Sequence, residues 1–272
     1  MTASISPAEF MKRIAAPPVG GSDPWASRYA DELRRIFHEH AARAPRSQQV
    51  HLGPSELGVH CDRQVAGKMA QLPRTNHVAD PWPSIVGTAC HAWAADAFDA
   101  QNERLGRERF LTEHRVTPHP LHSGTGDLYD HDEEAVVDHK FLGVTGMAKI
   151  RTTGPGRQYT VQLLLYKRGF ELMGLPVRRV VLAAYPRTAG TLDGLYVWTR
   201  EASPADDELL EEVFAQTEIR RQWAIALIAG TAELTDVPSA PSADECYFCP
   251  LYRPQSARDA GPGCPGHAAG QQ

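Results

Sequence analysis

Two short segments constrain this chain most: Gly124-Thr-Gly-Asp127 and, after a polar turn, Val136-Val-Asp138-His-Lys140. Side chains alternate along a β-strand, so Asp138 and Lys140 point one way and Val137, His139 and Phe141 the other. The run between the segments, Asp130-His-Asp-Glu-Glu134, is of the kind that reverses a strand, which predicts a hairpin bringing Asp127 beside Asp138. Two carboxylates in one cleft offer hard oxygen ligands suited to Mg²⁺ or Mn²⁺. An adjacent lysine can orient a water or stabilise charge developing on a phosphate, the chemistry of phosphodiester cleavage. Asp-x-Lys is equally an ordinary solvated ion pair at a strand edge, so its meaning depends on what else the chain brings to it.

Gln158-Tyr-Thr-Val-Gln162-Leu-Leu-Leu-Tyr166 has the pattern of an amphipathic helix in which Gln162 and Tyr166, at i and i+4, share a face. Upstream, the helical stretch from Val86 to Phe98 sets His91, Ala95 and Phe98 at spacings of 0, 4 and 7, which turns His91 inward. An inward histidine is either a satisfied core residue or a third ligand for a divalent ion. Glu113, in the strand-like run Phe110 to Val116, stands one strand before Asp127, where it adds a metal or water contact or is a surface carboxylate.

Taken in order, inward His91, Glu113, Gly126-Asp127, Asp138-x-Lys140 and Gln162-x-x-x-Tyr166 resemble the motifs of the RecB-like branch of the PD-(D/E)xK nuclease superfamily, over roughly residues 50 to 265. The resemblance implies a restriction-endonuclease-like α/β core, a mixed sheet flanked by helices. It also implies metal ligation by His91, Asp127, Asp138 and the backbone carbonyl of His139. Lys140 would then be the catalytic lysine, and Gln162 and Tyr166 would orient the lysine and the DNA strand.

The five cysteines are Cys61, Cys90, Cys246, Cys249 and Cys264, an odd count without a secretory signal. That argues against a disulfide framework and for a reducing, cytoplasmic setting. Cys246-Tyr-Phe-Cys249 is a Cys-x-x-Cys knuckle, and Cys264 follows after fourteen intervening residues. Three thiolates call for a fourth; Cys61, read as lying on a short helix, is the candidate, and four thiolates can hold an iron-sulfur cluster or a structural zinc. One cysteine before the core and three after it resemble the iron-sulfur subset of RecB-like nucleases, which includes CRISPR-associated adaptation exonucleases and phage relatives. That resemblance implies a 4Fe-4S cluster joining the two ends of the chain. The gap from Cys249 to Cys264 is longer than the family's, and His267 could replace Cys264 and favour zinc. Cys90 is expected to be a small buried hydrophobe turned away from His91.

A 272-residue chain that is 42% hydrophobic and 22% charged can bury a substantial core. Its formal charge of -5 provides no global basic field for a polyanion. A local groove built from Arg63, Lys68, Arg74, Lys149, Arg151, Arg157, Lys167 and Arg168 is therefore the expected DNA contact, with scattered solvated charge as the alternative. The punctuation of the chain predicts a helical extension over residues 1–50 and one nuclease domain over 51–272, in which 51–84 and 237–272 form the cysteine lobe. Gly143 to Gly156 is expected to be a mobile loop. The function expected is a divalent-metal-dependent exonuclease acting on single-stranded DNA or DNA ends, with helicase or recombination proteins as partners. A DNA-binding module with a spent nuclease site and a zinc-knuckle scaffold of a recombination complex are the other readings.

Overall fold

The computed structural model describes residues 24–44, 52–76, 80–253 and 263–266. The chain divides into two units, Met1–Gln48 and Gln49–Gln272. In the first, α1 (Pro24–Arg43) is a single helix with apolar positions at Trp25, Tyr29, Leu33 and Ile36. None of the described helices is long and apolar enough to cross a membrane.

The second unit is built on a five-stranded mixed sheet in the order β1 (Phe110–His119), β2 (His122–Asp130), β3 (Ala135–Leu142), β4 (Arg179–Pro186) and β5 (Tyr196–Glu201). Only β3 and β4 run parallel. A parallel pair needs a crossover, supplied here by α5 (Val144–Thr153) and α6 (Arg157–Leu172). The other described helices are α2 (Pro54–Leu57), α3 (Asp62–Met69), α4 (Trp82–Leu105), α7 (Ala205–Ala229) and α8 (Ala243–Phe248). The expected α/β class, with a mixed sheet between helices, is the class observed.

Helix α4 ends at Gly106, whose left-handed backbone (φ 65°) suits a residue without a Cβ. Its Asn102 side chain then accepts the backbone N–H groups of Arg109 and Phe110 and donates to the Phe110 carbonyl, tying the start of β1 to the helix. Helix α6 carries the core. Val161 to Lys167 are all buried, including Leu163, Leu164 and Leu165 at 0% exposure, so the helix is enclosed on every side instead of presenting the polar face that an amphipathic reading expects. It packs on the sheet and also meets α2 and α7.

Three further expectations change. Gly143 to Gly156 contains the helix α5, because Met147 and Ile150 at i and i+3 bury themselves against the core and outweigh its glycines. Cys61 lies in extended backbone (φ −79°, ψ 112°) at the N-terminal boundary of α3, so its thiol is carried by the join between two helices and not by a helix. Cys90 is half-buried and not a core residue.

Candidate active site

The site forms where β2 and β3 part. Their ladder runs from Asp130–Ala135 to Leu128–Val137 and stops one residue short of Asp127 and Asp138. Beyond it, the His139 N–H donates to Asp127 Oδ2 at 2.7 Å, so a carboxylate takes a backbone donor that the ladder no longer uses. The two glycines before Asp127 have a steric reason. A Cβ at Gly124 would stand 2.5 Å from Pro54, and one at Gly126 would stand 2.8 Å from the Phe170 ring of α6.

His91 of α4 faces this point, half-buried, with Nδ1 3.5 Å from Asp127 Oδ2 and 3.9 Å from Glu113 Oε1. Ligand atoms of His91, Glu113 and Asp127 lie within 4.8 Å of one another, the group among the described residues whose spacing fits a single metal ion. Glu113 holds a left-handed backbone (φ 43°), which a residue with a side chain adopts only where its surroundings impose it. Alternation along β3 is as expected. His139 and Phe141 meet α4, with Phe98 stacked on the His139 ring (9°, 5.6 Å) and His91 edge-on to Phe141, whereas Asp138 and Lys140 pair with each other.

Asp138 is fully buried, with Oδ2 2.6 Å from Lys140 Nζ. Apart from that contact, its carboxylate oxygens lack hydrogen-bond partners among the described residues. Burial pushes its carboxyl up to about 6 against the pull of Lys140, and the nearby Asp127 adds to the rise. For Lys140 burial acts downward, but the charges of Asp138 and Asp127 outweigh it, so the ammonium holds its proton more tightly than a free lysine. Burial first, then His91 and Lys140, lowers His139 to about 4, which leaves its imidazole neutral.

Gln162 and Tyr166 meet as expected, Gln162 Nε2 donating to Tyr166 Oη at 3.0 Å. Both are buried, and Tyr166 packs in a core cluster with Val116, Tyr129 and Phe170. Two tyrosines escape the sequence reading. Tyr159 of α6 places its ring 5.1 Å from Lys140 Nζ, and Tyr185 Oη lies 3.2 Å from His139 Nδ1. Tyr159 leaves a trace in the sequence, standing three residues before Gln162 on the same helix face; Tyr185 leaves none.

A second constellation gathers Cys61, Cys246, Cys249 and Cys264 around one small cavity, all four as free thiols. Arg63 lines it as well. Its guanidinium donates to Cys264 Sγ (3.3 Å) and to the carbonyls of Val237 and Thr235, while Cys264 N–H bonds Leu251 O at 2.6 Å. Burial, reinforced by the other three sulfurs, lifts Cys249 to about 11. The four thiols are not drawn into a group as tight as that of His91, Glu113 and Asp127. His267 lies outside the described residues.

Arg151, among the cations named for a basic groove, donates to the Gly194 carbonyl. Arg63, Lys68, Arg157, Lys167 and Arg168 are each committed to bonds within the fold, to Cys264, Glu56, Gly58, Glu171 and Glu211 respectively.

No family model matches the chain, and no curated protein matches it in sequence. Among solved structures the chain is similar to an alkaline exonuclease (LHK-Exo) from Laribacter hongkongensis, at 12% identity and a TM-score of 0.44, covering 67% of this chain and 91% of that one. LHK-Exo in complex with dAMP gives 13%, 0.44, 68% and 93%. A phage-related exonuclease from Haemophilus somnus 129PT gives 11%, 0.40, 63% and 82%. The likeness is distant, and the chemistry proposed below is drawn from the site.

Proposed function

We propose that this chain is a divalent-metal-dependent deoxyribonuclease, an exonuclease acting on single-stranded DNA or DNA ends. The observation that carries this is the convergence of the His91, Glu113 and Asp127 ligand atoms beside a buried Asp138–Lys140 pair at the point where two strands separate. A buried carboxylate whose oxygens have no partner among the described residues apart from the Lys140 ammonium is a costly arrangement for structure alone and a fitting one for a cation. His91, Asp127, Asp138 and the His139 carbonyl, with Glu113 beside them, would hold Mg²⁺ or Mn²⁺. Bound there, the ion would polarise the scissile phosphate and acidify a water.

The protein's own groups do the rest. The His139 N–H fixes the Asp127 carboxylate, and the Tyr185–His139 contact and the Phe98 stack hold the β3 backbone that carries Asp138. Lys140, kept protonated by its carboxylate neighbours, carries the positive charge that can orient the attacking water or meet charge on a phosphate oxygen. Gln162 and Tyr166, bonded to each other, would set the lysine and the strand in register.

The four-cysteine cavity is read as the seat of a structural 4Fe-4S cluster. The four thiols lining one cavity offer a full ligand set for a cluster with an iron for each, and the Arg63 bond to Cys264 Sγ favours Cys264 as the fourth. On this reading residues 51–84 and 237–272 make one lobe. The test is a time course on 5′- and 3′-labelled single strands with Mg²⁺ or Mn²⁺, beside iron, sulfide and zinc analysis of anaerobically purified protein. Release of nucleotides with metal and none with chelator is expected. Binding without cleavage would turn the reading to a DNA-binding module, and stoichiometric zinc without iron would turn it to a zinc knuckle.

A further inference from the structure

Lys140 has two neighbours that compete for its ammonium. On one side stands Asp138 Oδ2 at 2.6 Å, and on the other the Tyr159 ring, its centroid 5.1 Å from Nζ. Tyr159 belongs to α6 and is half-buried, packed against the main core cluster, so its ring is held on one side by packing. The two contacts are unlike in one respect. A carboxylate committed to a cation has less charge to offer an ammonium, whereas the negative face of an aromatic ring keeps its attraction whatever the cation does.

We propose that Tyr159 is a positioning residue: its ring face seats the Lys140 ammonium while Asp138 is committed to metal, keeping the charge aimed at the substrate phosphate. Beside the Gln162–Tyr166 pair on the same helix, Tyr159 has its ring placed against the ammonium. For its effect on turnover the inference rests on the nuclease reading; the contact itself does not.

The experiment therefore has two arms. The chain has five lysines, so ¹³C-lysine labelling of the full-length protein gives a spectrum in which Lys140 is assigned by its loss in Lys140→Arg. Its ε-methylene protons are expected upfield of those of the other lysines, shifted by the ring current, to stay there in Tyr159→Phe and to move downfield in Tyr159→Leu. In the second arm, Tyr159→Leu is expected to lower kcat on labelled single strands about tenfold, the scale of a desolvated cation–π contact, leaving KM for DNA and the Mn²⁺ midpoint unchanged. Tyr159→Phe should retain most of the turnover. If Tyr159→Leu does not fold, Tyr159→Met supplies similar bulk without a ring. Unshifted ε-protons in the wild type would overturn the proposal, as would a Phe variant as impaired as the Leu variant, since that assigns the effect to the hydroxyl. A wild type inert toward DNA would sink the nuclease reading alone, and the chemical-shift arm would still decide the seat.

Discussion

The carboxylate site and the cysteine cavity are built on opposite principles. The first takes its principal residues from a continuous stretch, His91 to Tyr166, and positions them by the pitch of two helices and the alternation of three strands. The second joins Cys61 to Cys264 across most of the chain, through loop backbone and one guanidinium clamp. The first site is thus held by the sheet whether or not anything binds. The second has little apolar core of its own, a small cluster of Cys249, Leu251 and Cys264, and depends on what fills the cavity. Loss of ligands should therefore abolish chemistry in one region and structure in the other.

The largest effect is expected at the carboxylates. On the nuclease reading Asp127→Ala and Asp138→Asn would each remove a metal ligand on which several kcal/mol of transition-state stabilisation would depend, so cleavage should fall by roughly a thousandfold or more. Lys140→Ala should fall comparably while still binding metal, because it leaves all the ligands in place. Mn²⁺ titration followed by calorimetry separates the two cases. A fully active Asp138→Asn would dismantle the site, and Asn is the substitution to use because Ala would also open a cavity beside the lysine.

Next come the thiols. Cys246→Ala should abolish iron and sulfide content and lower the melting temperature, with protease cuts appearing in the 237–266 segment while the sheet persists. Cys90→Ser, outside the cavity, is the control and should leave iron content unchanged. Iron retained in Cys264→Ala would move the fourth ligand to another residue, His267 among them.

Much of the first region is legible in the sequence because strand alternation and helix pitch are local rules. They fix the Asp138–Lys140 face, the opposite face of His139 and Phe141, and the Gln162–Tyr166 pair. The same rules fail where burial is set by distant packing. The enclosure of α6 depends on α2 and α7, and α5 reads as a loop because four glycines conceal the Met147–Ile150 pair. Glu113's left-handed backbone is announced by no residue type in the sequence. For the cysteines, count alone names the candidates, but the guanidinium that bonds Cys264 beside them comes from Arg63, an arginine of ordinary appearance in the sequence.

Arg220, fully buried on α7, bonds Asp62 Oδ1 at 2.7 Å and the carbonyls of Leu57 and Val59 through its guanidinium. It thus grips the chain on both sides of Cys61. Arg220→Met should destabilise the protein by about 3 kcal/mol, the lower end for breaking a buried pair, because Asp62 remains half-exposed and can hydrate. Urea denaturation measures that loss. Iron content should fall as well, while Gln162→Ala, at the same core's other end, should leave iron untouched.

The smallest effect is a pair of opposed pH slopes inside the carboxylate site. His139 is held near 4 in the fold against an ordinary 6.5, so the unfolded chain binds the extra proton between those values and stability falls as pH falls through that window. Asp138 is lifted to about 6 from 3.8, so the folded protein binds the extra proton and stability rises as pH falls from about 6 toward 3.8. The windows overlap and the shifts are comparable in size. In metal-free wild type the two contributions should nearly cancel, Lys140 staying charged throughout. Each variant should unmask the partner's slope. Relative to wild type, Asp138→Asn should lose stability on acidification from pH 6 to 4.5, and His139→Phe should gain it, each by up to about 1.4 kcal/mol per pH unit. Mn²⁺ should act as Asp138→Asn does, since a carboxylate bound to a cation cannot take up the compensating proton. Denaturant midpoints at pH 6.5, 5.5 and 4.5, with chelator and with Mn²⁺, read all four conditions. Parallel pH profiles for the two variants would mean that Asp138 and His139 are not desolvated to the same depth, and that the site is open to water where the fold encloses it.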